Sequence, residues 1–360
     1  MSGAAEAAAG TARAVVVRLP SPRPRALWLA VASAFLVGAG VLGVLVGPVH
    51  IGAGAILRAA LSHVPFLHVR STLSDAEDAI VFQLRLPRVV LGALVGAMLA
   101  GCGAAFQGAF RNPLADPYLL GTAAGAGLGA TMVVAYAPAG THAALVPVAA
   151  FVGAVLAVAV AYAVGRSAGG RGAVSLVLAG VVVASFFTAL QTFVQQQNVD
   201  TVEEVYSWIL GRLTTAGWRE VLTILPYAAV SASVLVLYGR LLDVLAVGDE
   251  EAASLGIDVR RVRLAVIVAA TVGTAAAVAV SGLIGFVGII VPHTIRLLVG
   301  GSYRAVLPLS LIAGAGFLVL CDVIARTVLA PQELPIGVVT AFFGAPFFAL
   351  VLRRSRVTAT

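Results

Sequence analysis

Lysine is absent from this chain of 360 residues, and all 23 of its basic residues are arginine. A phosphate-binding P-loop needs its lysine to reach the phosphates, so the chain holds no ordinary P-loop. Any ATP hydrolysis it depends on belongs to another chain. Charge of either sign is scarce. Only 11% of the residues are charged against 60% hydrophobic, and the mean hydropathy is +1.03. A soluble domain carries about 25% charged residues, so this composition marks an integral membrane protein. Cysteine is nearly missing. Cys102 and Cys321 both lie in apolar runs, and their spacing suggests neither a disulfide framework nor a metal site. The arginines are scattered, so the net charge of +7 is no nucleic-acid footprint. No cofactor site is expected in this chain.

What is plentiful is apolar sequence in long runs. They lie at about 26–48, 89–109, 118–137, 143–165, 173–195, 221–239, 264–283, 284–300, 305–325 and 337–352. A helix of about 20 apolar residues crosses a bilayer core of about 30 Å. The runs therefore predict an all-α integral membrane protein with ten transmembrane helices. Residues 1–25 read as a disordered basic cytoplasmic tail, and residues 26–354 as one transmembrane domain. The first run is too long for the core of a cleavable signal. Asn112-Pro113 should make a turn that no continuous helix can hold, and Pro292-His293 should interrupt the eighth span. Gly121, Gly125 and Gly129 offer one small face for close helix contact. Tyr206 to Gly211 suits a short interfacial helix. Spans two to five and seven to ten each carry an early proline-containing break and start on opposite sides, as an inverted repeat would. Ten spans put both termini on one side. With the N-terminus inside, 16 arginines fall inside and seven outside, which the positive-inside rule favours.

One polar stretch, 248–263, holds seven of the charged residues. Asp249, Glu250 and Glu251 together cannot enter a bilayer, since one carboxylate at its centre costs about 2.5–3.5 kcal/mol. The stretch also reads as structured. Asp249 can cap a short helix, the two glutamates suit its positive end, and Gly256 can stop it in the left-handed conformation. Asp258 can cap the next helix. This elbow offers Ala252, Ala253, Leu255 and Ile257 as apolar groups for a partner to cover. A plain solvated loop is the competing reading.

Three groups of motifs stand out. The first is Leu84-Arg-Leu-Pro-Arg88, Gly92 to Gly96, Gly103, Gln107, Arg111 to Pro117, Leu120-Gly121 and Gly125-Ala126. The second is Ala253 to Gly256, then Ser281 to Gly288, Pro292-His293, Arg296 and Gly300. The third is Asp322 and Arg326, Glu333 to Ala341, and Gly344 to Phe347. Together, in this order, they resemble the permease family of type II ABC importers, whose members carry ferric siderophores, haem and cobalamin. The resemblance covers about residues 26–354. It implies a homodimer in a bacterial inner membrane, with both termini cytoplasmic and a pathway along the two-fold axis. Two ATPase subunits holding ATP and magnesium would bind below, and an extracytoplasmic substrate-binding protein above. It further implies that Asp249, Glu250, Glu251, Ala252, Ser254, Leu255 and Gly256 couple to the ATPase. Arg85, Arg88 and Arg326 would meet acidic residues of the binding protein.

Several residues carry two readings. Gln107 can face the pathway or hydrogen-bond a neighbouring helix. Asn112 and Pro113 read as a structural turn, and His293 as a structural hydrogen-bonder. His63 and His68 can bind haem iron or simply be solvated. Asp322 and Arg326, four apart, can pair with each other. A competing function is an ion-coupled secondary carrier, which normally needs carboxylates within the membrane. Asp322, near a helix end, is the candidate here. A membrane enzyme is disfavoured because no nucleophile–base pair or metal cluster is apparent.

Overall fold

The structure, a computed structural model, describes residues 25–357 apart from 64–65, 67–69, 168–172 and 215–216. Of residues 350–357 only the backbone is described. The basic tail expected before residue 25 lies outside the described residues, as does His68. Among the described residues all regular structure is helical. The long helices are α1 (Arg25–Leu45), α2 (Leu86–Phe110), α3 (Thr122–Tyr136), α4 (His142–Ser167), α5 (Ala173–Gln197), α6 (Trp218–Leu237), α7 (Val259–Ser281), α8 (Val287–Val299), α9 (Tyr303–Thr327) and α10 (Ile336–Val357). Seven helical segments are long and apolar enough to cross a membrane: α1, Asp75–Phe110, Ala139–Ser167, α5, α6, α7 and α9. The apolar helices α3, α8 and Ile336–Ala349 are shorter.

Helix α2 is the centre of the molecule. Every residue from Met98 to Phe110 is buried. It packs against α6, α7, α8 and α9. A helix that is apolar on all sides belongs in such a position. Its neighbours approach closely because its glycines allow it. A Cβ on Gly96 would strike the carbonyl of Gly314 in α9, and one on Gly103 the carbonyl of Gly288 in α8. The small face expected on α3 is used in the same way, with Gly125 and Gly129 meeting Gly153 and Ala149 of α4. Gly121 is not on that face. It precedes α3 as its N-cap.

The helix leading into α2 begins well before the apolar run. Ser74 and Glu77 form a capping box: Glu77 N donates to Ser74 Oγ at 3.4 Å, and Ser74 N to Glu77 Oε2 at 2.9 Å. From there Asp75–Ala79 passes through a π-helical turn, Ile80–Arg85, into α2.

Two helices are too short to cross alone. At 15 residues α3 spans about 22 Å, and at 13 residues α8 spans about 20 Å. Non-helical stretches, 111–121 and 282–286, precede them. Irregular backbone packed among apolar helices needs partners for its polar groups. Tyr118 supplies them for the second stretch. Its hydroxyl donates to the carbonyl of Ile284 at 3.0 Å and accepts the Ile284 amide at 3.1 Å. The two expected breaks thus meet at one side chain. The second lies at 282–286 and not at Pro292-His293, because α8 runs through Pro292 without interruption.

Candidate functional site: the elbow and the arginine cluster

The elbow is a short helix, Asp249–Ser254, between the helix Gly239–Leu245 and α7. Asp243 fixes the first of these to the start of α9. Its carboxylate accepts from Ser302 Oγ at 2.9 Å, the Tyr303 amide at 2.5 Å and Arg304 Nε at 3.1 Å. The elbow helix ends in a Schellman motif. Gly256 has φ +79°, its amide donates to Ala253 O at 2.9 Å, and that of Ile257 to Ala252 O at 3.1 Å. Asp258 then caps α7, its Oδ1 accepting from the Arg261 amide at 3.0 Å. The turn chemistry expected at Gly256 and Asp258 is therefore present.

Two expectations for the elbow are corrected. Gly248, not Asp249, is the N-cap. The Asp249 carboxylate is drawn away from the helix end by Arg263, whose Nη2 lies 2.8 and 2.9 Å from its two oxygens, and by Arg111 at 3.5 Å. Ala252 was expected on the surface offered to a partner, yet its exposure is 0%. It packs with Leu245 and Val262, because an amphipathic helix lying on the protein must bury one side. What the elbow leaves to solvent is Glu250, Glu251, Ala253, Ser254, Leu255 and Gly256, the leucine at 70%.

The opposite end holds the three arginines expected to meet a binding protein. Two point inward. Arg85 is 5% exposed and donates through Nη1 to the carbonyls of Val44 and Leu45, at 3.0 and 3.2 Å, and through Nη2 to that of Val49. Arg326 is 3% exposed and donates to Gly43 O at 2.6 Å. The last carbonyls of α1 lack intrahelical partners and carry the negative end of its dipole, which is what draws both guanidiniums in. Arg88 alone of the three faces open space. Its fork takes two carboxylates at once. Asp322 lies 2.8 Å from Nη2 and 3.0 Å from Nε; Glu333 lies 2.9 Å from Nη1 and 2.8 Å from Nη2. The Asp322–Arg326 pair expected from their spacing is looser, at 3.5 Å. Arg88, Arg212, Tyr206, Asp322 and Glu333 line a cavity of about 380 Å³.

Gln107 is buried and bonded on both sides. Its Nε2 donates to Gly288 O at 3.1 Å, and its Oε1 accepts from Arg296 Nη2 at 2.7 Å. Of its two readings the geometry shows the bond to a neighbouring helix. Asn112 Oδ1 accepts from the Leu114 amide at 2.9 Å, closing the turn that ends α2. His63 follows the short helix Ala53–Ser62 and turns back on it, with Nδ1 2.9 Å from Ala59 O. Among the described residues no cluster of three His, Cys, Asp or Glu is placed to hold a metal ion. Arg263 and Tyr118 were not singled out in the sequence. Their partners, Ala109 and Ile284, are 154 and 166 residues away, and no local spacing announces them.

The comparisons with known proteins agree with this architecture. Residues 35–354 match the model of the FecCD transport family. The cobalamin import system permease protein BtuC of Halobacterium salinarum is 41% identical over 285 residues, covering 79% of this chain and 76% of that protein. The Fe(3+)-citrate import system permease protein YfmD of Bacillus subtilis is 38% identical, covering 78% and 83%. Among solved structures, an inward-facing conformation of a metal-chelate type ABC transporter superposes with a TM-score of 0.79 at 27% identity, covering 91% of this chain and 99% of that one.

Proposed function

The chain belongs to the FecCD transport family, and on that premise we propose that it is the permease subunit of an ATP-driven importer for metal chelates, a ferric siderophore, haem or cobalamin. Two copies form the pathway in a bacterial inner membrane, each crossing ten times with both termini in the cytoplasm. Two ATPase chains, which hold ATP and magnesium, seat on the elbows. A substrate-binding protein docks on the opposite face. There Arg88 is the contact residue, while Arg85 and Arg326 hold the end of α1 beside it.

The observation that carries this reading is the elbow. It is a capped helix fixed from beneath by Ala252, with Leu255 exposed at its tip beside Glu250 and Glu251. The Schellman turn and the apolar anchor hold the elbow in one shape, which supports reading it as a surface that a partner seats on. Relatives named for cobalamin and for iron citrate stand at 41% and 38% identity, so the substrate is proposed at the level of the chelate class. The competing ion-coupled carrier needs a membrane carboxylate free to bind its ion. Asp322 is 2% exposed and already held by Arg88 at 2.8 Å. The test is uptake by liposomes containing the permease with its ATPase and binding protein. Radiolabelled cyanocobalamin, haemin and a ferric hydroxamate serve as probes. Uptake of one of them should require ATP and survive a protonophore. Uptake driven by an ion gradient without ATP would establish the carrier instead.

A further inference from the structure

The elbow is fastened to the central helix through one side chain. Arg263 lies near the start of α7 and is 5% exposed. Its Nε donates to the carbonyl of Ala109, in the last turn of α2, at 2.9 Å. Its Nη2 holds both oxygens of Asp249, the first residue of the elbow helix, at 2.8 and 2.9 Å. Arg111, just past the end of α2, approaches the same carboxylate at 3.5 Å. One planar guanidinium therefore joins three elements: α2, the elbow helix and α7.

Capping alone does not account for this arrangement. The last carbonyls of a helix lack intrahelical donors, and a cation there also meets the negative end of the dipole. Any buried donor would serve that purpose without reaching the elbow. Arg263 does both, in directions fixed by its fork. A lysine ammonium at a single point does not reproduce the two fixed directions. What it grips is also suited to carry a displacement onward. Helix α2 is buried without interruption from Met98 to Phe110 and packs most heavily against α6, α7, α8 and α9. A close-packed interior transmits strain instead of absorbing it.

We propose that Arg263 is the positioning residue that carries movement of the elbow into α2, with Asp249 as its hold on the elbow. The proposal rests on the reading of the elbow as the seat of the ATPase.

The experiment uses the full transporter, permease with its ATPase chains in liposomes, with Cys102 and Cys321 replaced by alanine. A single cysteine is placed at Ser254, on the elbow, or at Leu114, which is 42% exposed just beyond α2. Maleimide labelling is timed without nucleotide and after trapping with ATP and vanadate. In the parent chain the ATPase should protect position 254, and trapping should change the rate at 114. In Arg263→Ala protection at 254 should persist while the nucleotide dependence at 114 is lost. Arg263→Lys should not restore it. Asp249→Asn keeps the shape of the elbow and removes the charge; it should also lose the dependence at 114, and it decides the matter if Arg263→Ala does not assemble. Nucleotide-dependent labelling at 114 that survives in these variants overturns the proposal and leaves the elbow's role intact. An unchanged rate at 114 in the parent overturns it as well. A position 254 left unprotected in the parent overturns the reading of the elbow itself.

Discussion

Gln107 donates, at 3.1 Å, to the carbonyl of Gly288, four residues before Pro292. That carbonyl is the one Pro292 deprives of its intrahelical amide. Gln107 of α2 thus repairs a hydrogen-bond vacancy in α8. The carbonyl that Pro292 leaves open inside α8 is satisfied in this way. A buried group left without a partner costs about 1–3 kcal/mol. Gln107→Leu should lower the unfolding temperature of the detergent-solubilised permease. Adding Pro292→Ala to Gln107→Leu should recover part of the loss, since the new amide can reach Gly288. If Pro292→Ala makes the Gln107→Leu variant no more stable, the vacancy is not what Gln107 fills.

What was legible in the sequence was what is decided locally. Gly256 needs a left-handed turn and Asp258 sits one residue before a helix, so both announced themselves by position. The apolar runs placed the helices because burial in lipid depends on composition over about 20 residues. The direction in which a polar side chain turns was not legible. Arg85 reads as an entrance residue beside Pro87, yet its partners Val44, Leu45 and Val49 lie 36 to 41 residues earlier. Ala252 reads as exposed because its neighbours are acidic, and only the way the elbow helix lies on Leu245 and Val262 hides it. Pro292 reads as a break, and the side chain that fills its vacancy lies on another helix.

The orientation is open to direct measurement. Ser254, on the elbow, and Gln196, in the last turn of α5, are both exposed on the chain itself. Sixteen of 23 arginines fall on the elbow's side of the membrane in the expected topology. In cells, a cysteine at 196 should react with an impermeant maleimide added outside, and one at 254 should not. The opposite pattern would place the elbow outside the cell, beyond the reach of an ATPase.

Coupling should depend on Gly256 and Leu255 in different ways. Gly256 has φ +79°, a conformation that a β-branched side chain resists, so Gly256→Val should distort the turn. Nothing lies within 4 Å of a Cβ there, so the effect comes from the backbone and not from crowding. Leu255→Ser leaves the fold untouched and removes apolar surface that a partner would cover. Both variants should insert normally and lose ATP-driven uptake. Only Leu255→Ser should keep the unfolding temperature of the parent. Normal transport by both would reduce the elbow to a connecting loop.

Docking on the outer face should turn on Arg88, and its present partners set the terms. The guanidinium is shared between Asp322, which is buried, and Glu333, whose side chain is 30% exposed. Glu333 is the member that an acidic residue from another protein would displace, because it gives up little burial in leaving. Asp322 stays, since without Arg88 its charge would be left in the interior beside a more distant Arg326. Arg88→Glu should therefore cost more than docking alone and lower stability too. Glu333→Gln is the more telling variant. It keeps the shape of the loop, weakens the competitor for Arg88, and should raise the affinity of the cognate binding protein for the reconstituted permease. Contacts between exposed charges are screened within about 8–10 Å at ordinary ionic strength, so the association rate should fall as salt rises, for the parent and for Glu333→Gln alike. Binding measured at low and high salt decides the matter. An affinity unaltered by Glu333→Gln and insensitive to salt would mean that Arg88 serves only to tie α2 to α9 and to the loop before α10.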